Sequence, residues 1–230
     1  MTIRCITFDL DDTLWECEPV LFRAETIFYR WLAENSPRVA SGFSPDALIE
    51  HRRNYFAEYP ELHHDVTRLR KQWLAHVLSE ADYGEQLVEA GFKVFWQARN
   101  EIALGDETVK VLEGLRGLFM MGAITNGNAD VDRIGIGRYF DFVVTAAEAG
   151  AAKPDVRIFQ MALAKSKISA PEVVHVGDDP DRDILGARAV GMRTIWINAK
   201  QRPWQAQEVP DAIIHTLGEL QAVLASWVRS

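Results

Sequence analysis

The sequence has little of what marks secreted, membrane-spanning or disulfide-bonded proteins. It contains two cysteines in 230 residues, which is too few for a disulfide framework. No apolar run approaches the roughly 18 residues that a membrane helix needs. The first residues also lack the basic start, apolar stretch and small-residue cleavage site of a secretory signal. We therefore expect a cytoplasmic protein with reduced thiols and no membrane partner.

Positive charge is also scarce. The chain has 25 lysines and arginines against 33 aspartates and glutamates, a formal net charge of −8. Such a chain repels nucleic acid at long range, and its basic clusters, Arg52-Arg53 and Arg68 to Lys71, are too short for a nucleic-acid surface. We expect no nucleic-acid partner. An anionic substrate would need a local cation or a metal to offset the acidic field.

Strand-like and helical segments alternate over most of the chain. The strand-like segments are short and apolar, and they lie at 3–10, 118–125, 142–145, 173–177 and 193–198, with a weaker one at 212–215. Helical patterns at 108–116, 156–165 and 183–190 separate the later strands. This alternation predicts an α/β fold with a Rossmann-like, doubly wound parallel sheet.

Residues 16–101 interrupt this alternation. They contain no convincing strand, and their apolar residues recur at helical spacing. We predict an inserted α-helical domain of about four helices at 16–101, and a discontinuous core formed by 1–15 and 102–230.

The strongest signal for chemistry is the segment Asp9-Leu10-Asp11-Asp12-Thr13-Leu14, which follows the first predicted strand. Ligands of parallel α/β sheets bind at the carboxyl ends of the strands. Because side chains alternate along an extended chain, Asp9 and Asp11 can point into one site. Carboxylates held this close raise one another's pKa unless a cation joins them. The alternative interpretation of Asp12-Thr13 is a helix N-cap.

Three later segments carry groups that suit a phosphate and a metal. Thr125-Asn126-Gly127 closes the second strand with a hydroxyl and an amide, although Asn-Gly is also a turn signal. Lys153 precedes a helix, where a lysine is also ordinary surface charge. The run 178–183 is a second acid cluster after a strand. Two such clusters at strand ends repel each other unless a divalent cation lies between them, which predicts a Mg²⁺ site.

In this order, the four segments resemble the motifs of the haloacid dehalogenase superfamily, in particular its phosphatases with a helical cap inserted after the first motif. The resemblance covers the core by its motifs and residues 16–101 by the position and length of the cap. It implies a Mg²⁺-dependent phosphomonoester hydrolase that acts on a small phosphorylated metabolite through an aspartyl-phosphate intermediate. We expect a monomer or a homodimer.

The resemblance also implies a role for each motif residue. Asp9 would be the nucleophile, Asp11 would protonate the leaving alcohol and then activate water, and Thr125 and Lys153 would hold the phosphoryl group. The predicted Mg²⁺ ligands are Asp9, the backbone carbonyl of Asp11 and Asp178, with Asp183 as a further ligand or as outer-shell support. A contact from Asp179 or Asp181 stays open, since both can cap the following helix. The predicted substrate-binding residues are Asp12, Thr13, Trp15, His64, Arg68 and Asn126.

The segment from Glu61 to Arg68, taken with the motif surroundings, resembles a narrower group of bacterial phosphatases, the YigB type. These act on flavin mononucleotide (FMN) and on 5-amino-6-(5-phosphoribitylamino)uracil. The resemblance implies that His64 or Arg68 contacts the polar end of the substrate and that Trp15 stacks on its ring; plain packing is the alternative for Trp15. A metal site among the insert's histidines is a weaker alternative to ordinary surface or interface positions.

Other functions stay open. A phosphomutase uses both acids of the first motif. A haloacid dehalogenase shares the fold but lacks an acid at the position of Asp11, because a halide leaves without a proton. A non-catalytic binding protein would be expected to lose Asp9 or Asp11. A protein phosphatase fits less well, because a long insert favours a lid over a small substrate.

Overall fold

A computed structural model describes residues 2–228 and divides the chain into two compact units. Cys17–Ile102 forms one unit, and the described residues on either side of it form the other. The bounds predicted for the insert, 16–101, differ from these by one residue at each end. Among residues 2–228, no helix combines the length and the apolar character needed to cross a bilayer.

The Cys17–Ile102 unit is built from helices. They are α1 Cys17–Asn35, α2 Pro37–Gly42, α3 Pro45–Ala57, α4 Val66–Glu80 and α5 Gln86–Arg99. The four longer helices match the predicted number, and α2 is a short addition because Pro37 starts a new helix directly after α1. Aromatic side chains form much of the core: the ring of Phe28 lies 6.1 Å from Trp73 and 6.4 Å from Phe95.

The other unit is built on a six-stranded sheet in which all neighbouring strands are parallel. The strands are β1 Cys5–Phe8, β2 Met120–Thr125, β3 Phe142–Thr145, β4 Val173–Gly177, β5 Arg193–Ile197 and β6 Ala212–Ile214. Their order is β3-β2-β1-β4-β5-β6. The chain therefore runs from β1 to one edge and then from β4 to the other, which confirms the predicted doubly wound fold. The central strands β1 and β4 are buried along their whole length.

Helices lie between the successive strands of this unit up to β5, and one more follows β6. They are α6 Asp106–Leu115, α7 Val131–Ile134, α8 Ala146–Ala149, α9 Val156–Ser166, α10 Gly186–Ala189 and α11 Leu220–Val228. Helix α9 contributes Ile158 and Phe159 to a core shared with Ile124 and Val144 of the sheet. This packing holds the start of α9 close to β2 and β3.

Two predicted boundaries differ from the structure for local reasons. Strand β2 begins at Met120 and not at Leu118, because Leu118 lies in a turn and is 73% exposed. The helix predicted from Asp183 begins earlier, as a π-helical turn at Pro180–Leu185 that leads into α10. Asp179 caps this turn, and Pro180 at the first helical position suits its start.

Candidate active site

The predicted motif residues converge at the carboxyl edge of the sheet. Asp9 follows β1, Thr125 ends β2 and Asp178 follows β4. Strand β1 pairs with β2 on one side and with β4 on the other. Polar side chains that follow three adjacent parallel strands therefore share one edge, the position where ligands bind in such sheets.

Lys153 lies at the centre of the site. Its buried ammonium group donates hydrogen bonds to Asp9 Oδ1, to Asp183 Oδ1 at 2.6 Å and to the carbonyl oxygen of Ile124 at 3.0 Å. Asn126 holds the backbone of Lys153 from both sides: Asn126 Nδ2 donates to the Lys153 carbonyl at 3.0 Å, and Asn126 Oδ1 accepts from the Lys153 N–H at 2.7 Å. The substrate contact of Asn126 stays a prediction, but its amide has a structural task that the sequence did not indicate.

Three carboxylates meet beside Lys153. Oxygen atoms of Asp9, Asp178 and Asp183 lie within 4.8 Å of one another. Burial raises the pKa of Asp9 to about 8, against the opposing charge of Lys153. Burial and the neighbouring acids raise the pKa of Asp178 to about 6. Burial alone would also raise the pKa of Asp183, but Lys153 and His175 outweigh it and hold that pKa low.

The raised pKa values indicate that the cluster lacks positive charge. One ammonium group does not offset three carboxylates, and the raised pKa values of Asp9 and Asp178 reflect this excess of negative charge. The donor set consists of carboxylate oxygens, which are the ligands that Mg²⁺ prefers. The cluster therefore fits a hard divalent cation.

The loop after β1 turns tightly and brings Trp15 onto Asp11. The indole N–H of Trp15 donates to Asp11 Oδ1 at 2.8 Å. Asp12 has a left-handed backbone conformation, with φ of 60°, and its N–H donates to the carbonyl of Trp15 at 2.8 Å. The alternative of a helix N-cap at Asp12-Thr13 is wrong, because α1 begins only at Cys17. Trp15 is 9% exposed, which leaves little of its ring for the predicted stacking.

Two buried threonines supply hydroxyl groups. Thr125 Oγ1 accepts a hydrogen bond from the N–H of Gly127 at 2.9 Å, which leaves its own hydrogen for an acceptor. Thr13 Oγ1 is buried and has no hydrogen-bond partner among the described residues. Because a buried hydroxyl without a partner costs free energy, its position supports the predicted contact with a ligand oxygen.

Among the other acids of the second cluster, Asp179 has a structural role. Asp179 Oδ1 accepts hydrogen bonds from the N–H groups of Asp181 at 3.0 Å and Arg182 at 2.9 Å, which caps the π-helical turn. The N–H of Asp179 donates to Asp183 Oδ2 at 3.0 Å. Asp181 is exposed. These contacts favour the capping alternative for Asp179.

Two residues that the sequence did not single out hold Asp178. Trp196 Nε1 and Arg202 Nη2 each donate to the backbone carbonyl of Asp178 at 2.8 Å. The side chain of Asn198 in turn accepts from the N–H of Arg202 at 2.9 Å and donates to its carbonyl at 2.8 Å. A tryptophan in a buried strand and an arginine in an irregular loop give no sequence signal for this arrangement.

The remaining predicted substrate contacts, His64 and Arg68, belong to the Cys17–Ile102 unit. His64 is half-buried and Arg68 is exposed. Arg68 lines a groove of about 610 Å³ together with Thr67 and Lys71. Contact of either residue with a substrate stays a prediction.

A cluster of two histidines and a glutamate in the same unit contains a ring whose hydrogen lies on the wrong nitrogen for binding a metal. Ligand atoms of His51, His76 and Glu80 lie within 4.8 Å of one another. However, Trp73 Nε1 donates to His51 Nδ1 at 3.0 Å, so a neutral His51 ring carries its hydrogen on Nε2. A metal-binding histidine instead donates from the nitrogen that faces away from the metal. The contact with Trp73 therefore weakens the alternative of a metal site in the insert.

Comparison with known proteins identifies relatives of this chain. Residues 3–191 match the family model for haloacid dehalogenase-like hydrolases. The chain is 31% identical over 230 residues to the 5-amino-6-(5-phospho-D-ribitylamino)uracil phosphatase YigB of Escherichia coli, and the match covers 96% of each protein. It is 26% identical to the glyceraldehyde 3-phosphate phosphatase of Methanocaldococcus jannaschii, with 95% of each protein covered.

Solved structures share the fold. A crystal structure of a 2-haloacid dehalogenase from Pseudomonas syringae pv. Tomato DC3000 superposes with a TM-score of 0.91 at 42% identity, covering 98% of this chain and 100% of that one. A haloacid dehalogenase-type phosphatase from Thermococcus onnurineus superposes with a TM-score of 0.66 at 25% identity, covering 96% and 98%.

Proposed function

We propose that this chain, which belongs to the haloacid dehalogenase-like hydrolases and acts on phosphate esters, uses Asp9 as its nucleophile, with Mg²⁺ bound beside it. The observation that carries the proposal is the arrangement of Asp9, Asp178 and Asp183 around Lys153 at the carboxyl edge of the sheet. A carboxylate nucleophile, a fixed ammonium group and a set of oxygen ligands are what phosphoryl transfer requires, because that chemistry depends on positioning and on neutralising charge.

The two acids of the first motif divide the reaction between them. In the first step, a carboxylate oxygen of Asp9 attacks phosphorus, the ester P–O bond breaks, and Asp11 gives its proton to the leaving alcohol. In the second step, Asp11 takes a proton from water, the resulting hydroxide attacks phosphorus, and the bond to Asp9 breaks to release phosphate. The hydrogen bond from Trp15 fixes Asp11 for both proton transfers.

The remaining residues hold the phosphoryl group and its charge. The hydroxyl groups of Thr125 and Thr13 provide donors for phosphoryl oxygens, and Lys153, whose three ammonium hydrogens are bonded to Asp9, Asp183 and the Ile124 carbonyl, offsets their charge. When bound, Mg²⁺ supplies positive charge that offsets both the phosphoryl oxygens and the surrounding carboxylates. Its proposed ligands are Asp9, the backbone carbonyl of Asp11, Asp178 and Asp183.

The proposed substrate is a small ribityl phosphate, either 5-amino-6-(5-phosphoribitylamino)uracil or FMN. The support is the 31% identity to YigB over 96% of the chain, together with the predicted contacts of His64 and Arg68. Replacing Arg68 by alanine should raise KM for FMN far more than KM for p-nitrophenyl phosphate. Arg53, an exposed arginine of α3, provides the matched control, and equal effects of Arg68→Ala on both substrates would refute the contact.

A haloacid dehalogenase is the second candidate, because the chain is 42% identical to the Pseudomonas protein described by that name. The presence of Asp11 argues against it for this chain. Dehalogenation needs no general acid, since a halide leaves as a stable anion, whereas here Trp15 holds an acid two residues after Asp9. The phosphatase is therefore the better-supported function.

The deciding experiment measures two products from the same enzyme. Phosphate release is followed on FMN, sugar phosphates, nucleotides and p-nitrophenyl phosphate with Mg²⁺ and with EDTA, and halide release is followed on 2-chloropropionate. We expect Mg²⁺-dependent phosphate release that Asp9→Asn abolishes and Asp181→Asn, a change at an exposed acid of the second cluster, leaves intact. Halide release without phosphate release would refute the proposal, and transfer of phosphate to a second sugar would indicate a mutase.

A further inference from the structure

A chain of buried polar groups leads from the sheet to Lys153. Thr7 on β1 and His175 on β4 are both completely buried, and Thr7 Oγ1 lies 2.9 Å from His175 Nδ1. On the other side of the ring, His175 Nε2 lies 3.3 Å from Asp183 Oδ1. The same carboxylate oxygen accepts from Lys153 Nζ at 2.6 Å. His175 therefore touches a group that holds Lys153, and Lys153 in turn contacts Asp9.

The acceptors in this series of hydrogen-bonded groups, from Thr7 to Lys153, determine where the hydrogens lie. Asp183 accepts from Lys153, which keeps the carboxylate ionised and therefore able only to accept. His175 Nε2 must then carry a hydrogen to donate. In the neutral ring Nδ1 is an acceptor, and the hydroxyl of Thr7 donates to it because Nδ1 lies 2.9 Å away, nearer than the other acceptor, the Val174 carbonyl at 3.4 Å. The neutral ring is favoured because Lys153 already brings a positive charge to the same carboxylate oxygen.

We propose that His175 is a positioning residue for Lys153, and that Thr7 holds its ring in the Nε2–H tautomer. In this state one carboxylate oxygen of Asp183 accepts hydrogen bonds from Lys153 and His175, and the other accepts from the N–H of Asp179. In the opposite tautomer a lone pair on Nε2 would face the carboxylate, which would turn away from Lys153. The inference rests on the proposed function, because it takes Lys153 and Asp183 to be parts of the active site.

If Thr7 and His175 served only to fill space in the core, they would tolerate different substitutions. The ring of Phe159 contacts His175 edge-on at 5.4 Å, so a histidine that only filled space would be replaceable by phenylalanine. It would also be indifferent to the hydroxyl of Thr7. The two interpretations therefore differ in how they respond to variants that keep volume and remove a single hydrogen bond.

The kinetic test uses such variants. A hydrogen bond to a charged group corresponds to about tenfold or more in an equilibrium, so His175→Phe, which removes the bond to Asp183, should lower kcat by about tenfold or more with little change in KM. Thr7→Val removes a bond between neutral groups and should lower kcat by a smaller factor. Thr7→Ser keeps the hydroxyl and should retain kcat, and His175→Gln, whose amide can donate to Asp183, should be partly active. Ser36→Ala is the matched control, because Ser36 is a completely buried residue of the Cys17–Ile102 unit whose hydroxyl donates to the carbonyl of Leu32 at 3.1 Å, outside the sheet.

A second readout does not depend on turnover. In ¹⁵N NMR spectra of the labelled protein, the protonated and unprotonated ring nitrogens of a neutral histidine resonate far apart, and His175→Gln identifies the signals of His175 by their loss. We expect the Nε2–H tautomer in the wild type and a mixture of tautomers in Thr7→Val. An Nδ1–H or doubly protonated ring in the wild type would overturn the inference.

The two readouts separate the possible failures. A wild type that releases no phosphate refutes the proposed function, while the NMR spectra still decide the tautomer. A wild type that is active, with Thr7→Val equal to it in kcat and in spectrum, refutes the positioning role alone. If Thr7→Val does not fold, the contrast between His175→Gln and His175→Phe decides the kinetic question, and inactivity of both to the same degree contradicts the proposal.

Discussion

Replacing Lys153 by methionine removes the central charge of the site and keeps the length of the side chain. The Lys153 side chain is 3% exposed and that of Asp183 is 2% exposed, so water cannot replace the lost ammonium group. The variant leaves the carboxylates of Asp9 and Asp183 close together and the carbonyl of Ile124 without this donor. We therefore expect a large loss of stability as well as a loss of phosphatase activity.

The expected loss of stability follows from the burial of the ion pair between Lys153 and Asp183. Removing one partner of a buried ion pair costs about 3–5 kcal/mol. In a protein of about 150–250 residues, about 1 kcal/mol corresponds to about 2–4 °C in the melting temperature, which gives a decrease of about 6–20 °C.

The loss should also depend on pH. Burial would raise the pKa of Asp183, but Lys153 and His175 outweigh burial and lower it. The contribution of this pair to stability is therefore present above the ordinary carboxyl pKa of about 4 and is lost as the pH falls through the lowered pKa. In Lys153→Met the buried carboxyl groups take up protons at higher pH than in the wild type. The difference in stability should thus be largest near neutral pH and shrink towards about pH 4.

Urea denaturation in EDTA, near neutral pH and at mildly acidic pH, measures this difference. Lys165→Met is the matched control: Lys165 pairs with Glu148 at 2.7 Å, but its side chain is 32% exposed, and such a pair contributes less than about 1 kcal/mol. Equal losses in the two variants, or a loss at Lys153 that does not change with pH, would refute the reasoning.

Three further predictions follow from individual contacts. Because burial raises the pKa of Asp9 to about 8 and that of Asp178 to about 6, Mg²⁺ affinity measured by calorimetry should fall by up to about tenfold per pH unit below about pH 8 and more steeply below about pH 6; an affinity independent of pH would contradict this. Trp15→Phe removes the hydrogen bond to Asp11 and should lower kcat at unchanged Mg²⁺ affinity, whereas an effect confined to KM for FMN would support stacking. Asp179→Ala removes the cap of the π-helical turn and should cost about 1 kcal/mol in thermal unfolding, more than the exposed control Asp181→Ala; equal costs would argue against the cap.

The sheet was predictable because its central strands leave an unmistakable pattern. A strand buried on both faces is mostly apolar, so β1 and β4 are evident as short hydrophobic runs, and the acids that follow them mark their carboxyl ends. The same pattern misplaced the start of β2, because Leu118 is an apolar residue in an exposed turn. It also missed the π-helical turn at Pro180–Leu185, whose start is set by a side-chain cap.

The groups that orient the motif residues left no comparable signal. Thr7 and His175 look like ordinary residues of buried strands, and the hydrogen bond between them joins positions 168 apart in the chain. Trp15 is only four residues from Asp11, yet their contact depends on the left-handed backbone at Asp12. Motifs therefore identify groups that meet the substrate, whereas the pKa and direction of those groups are set by partners that only the folded chain brings near. A variant designed from the motifs alone tests whether Lys153 is needed; a variant of Thr7 tests why Lys153 is in the right place.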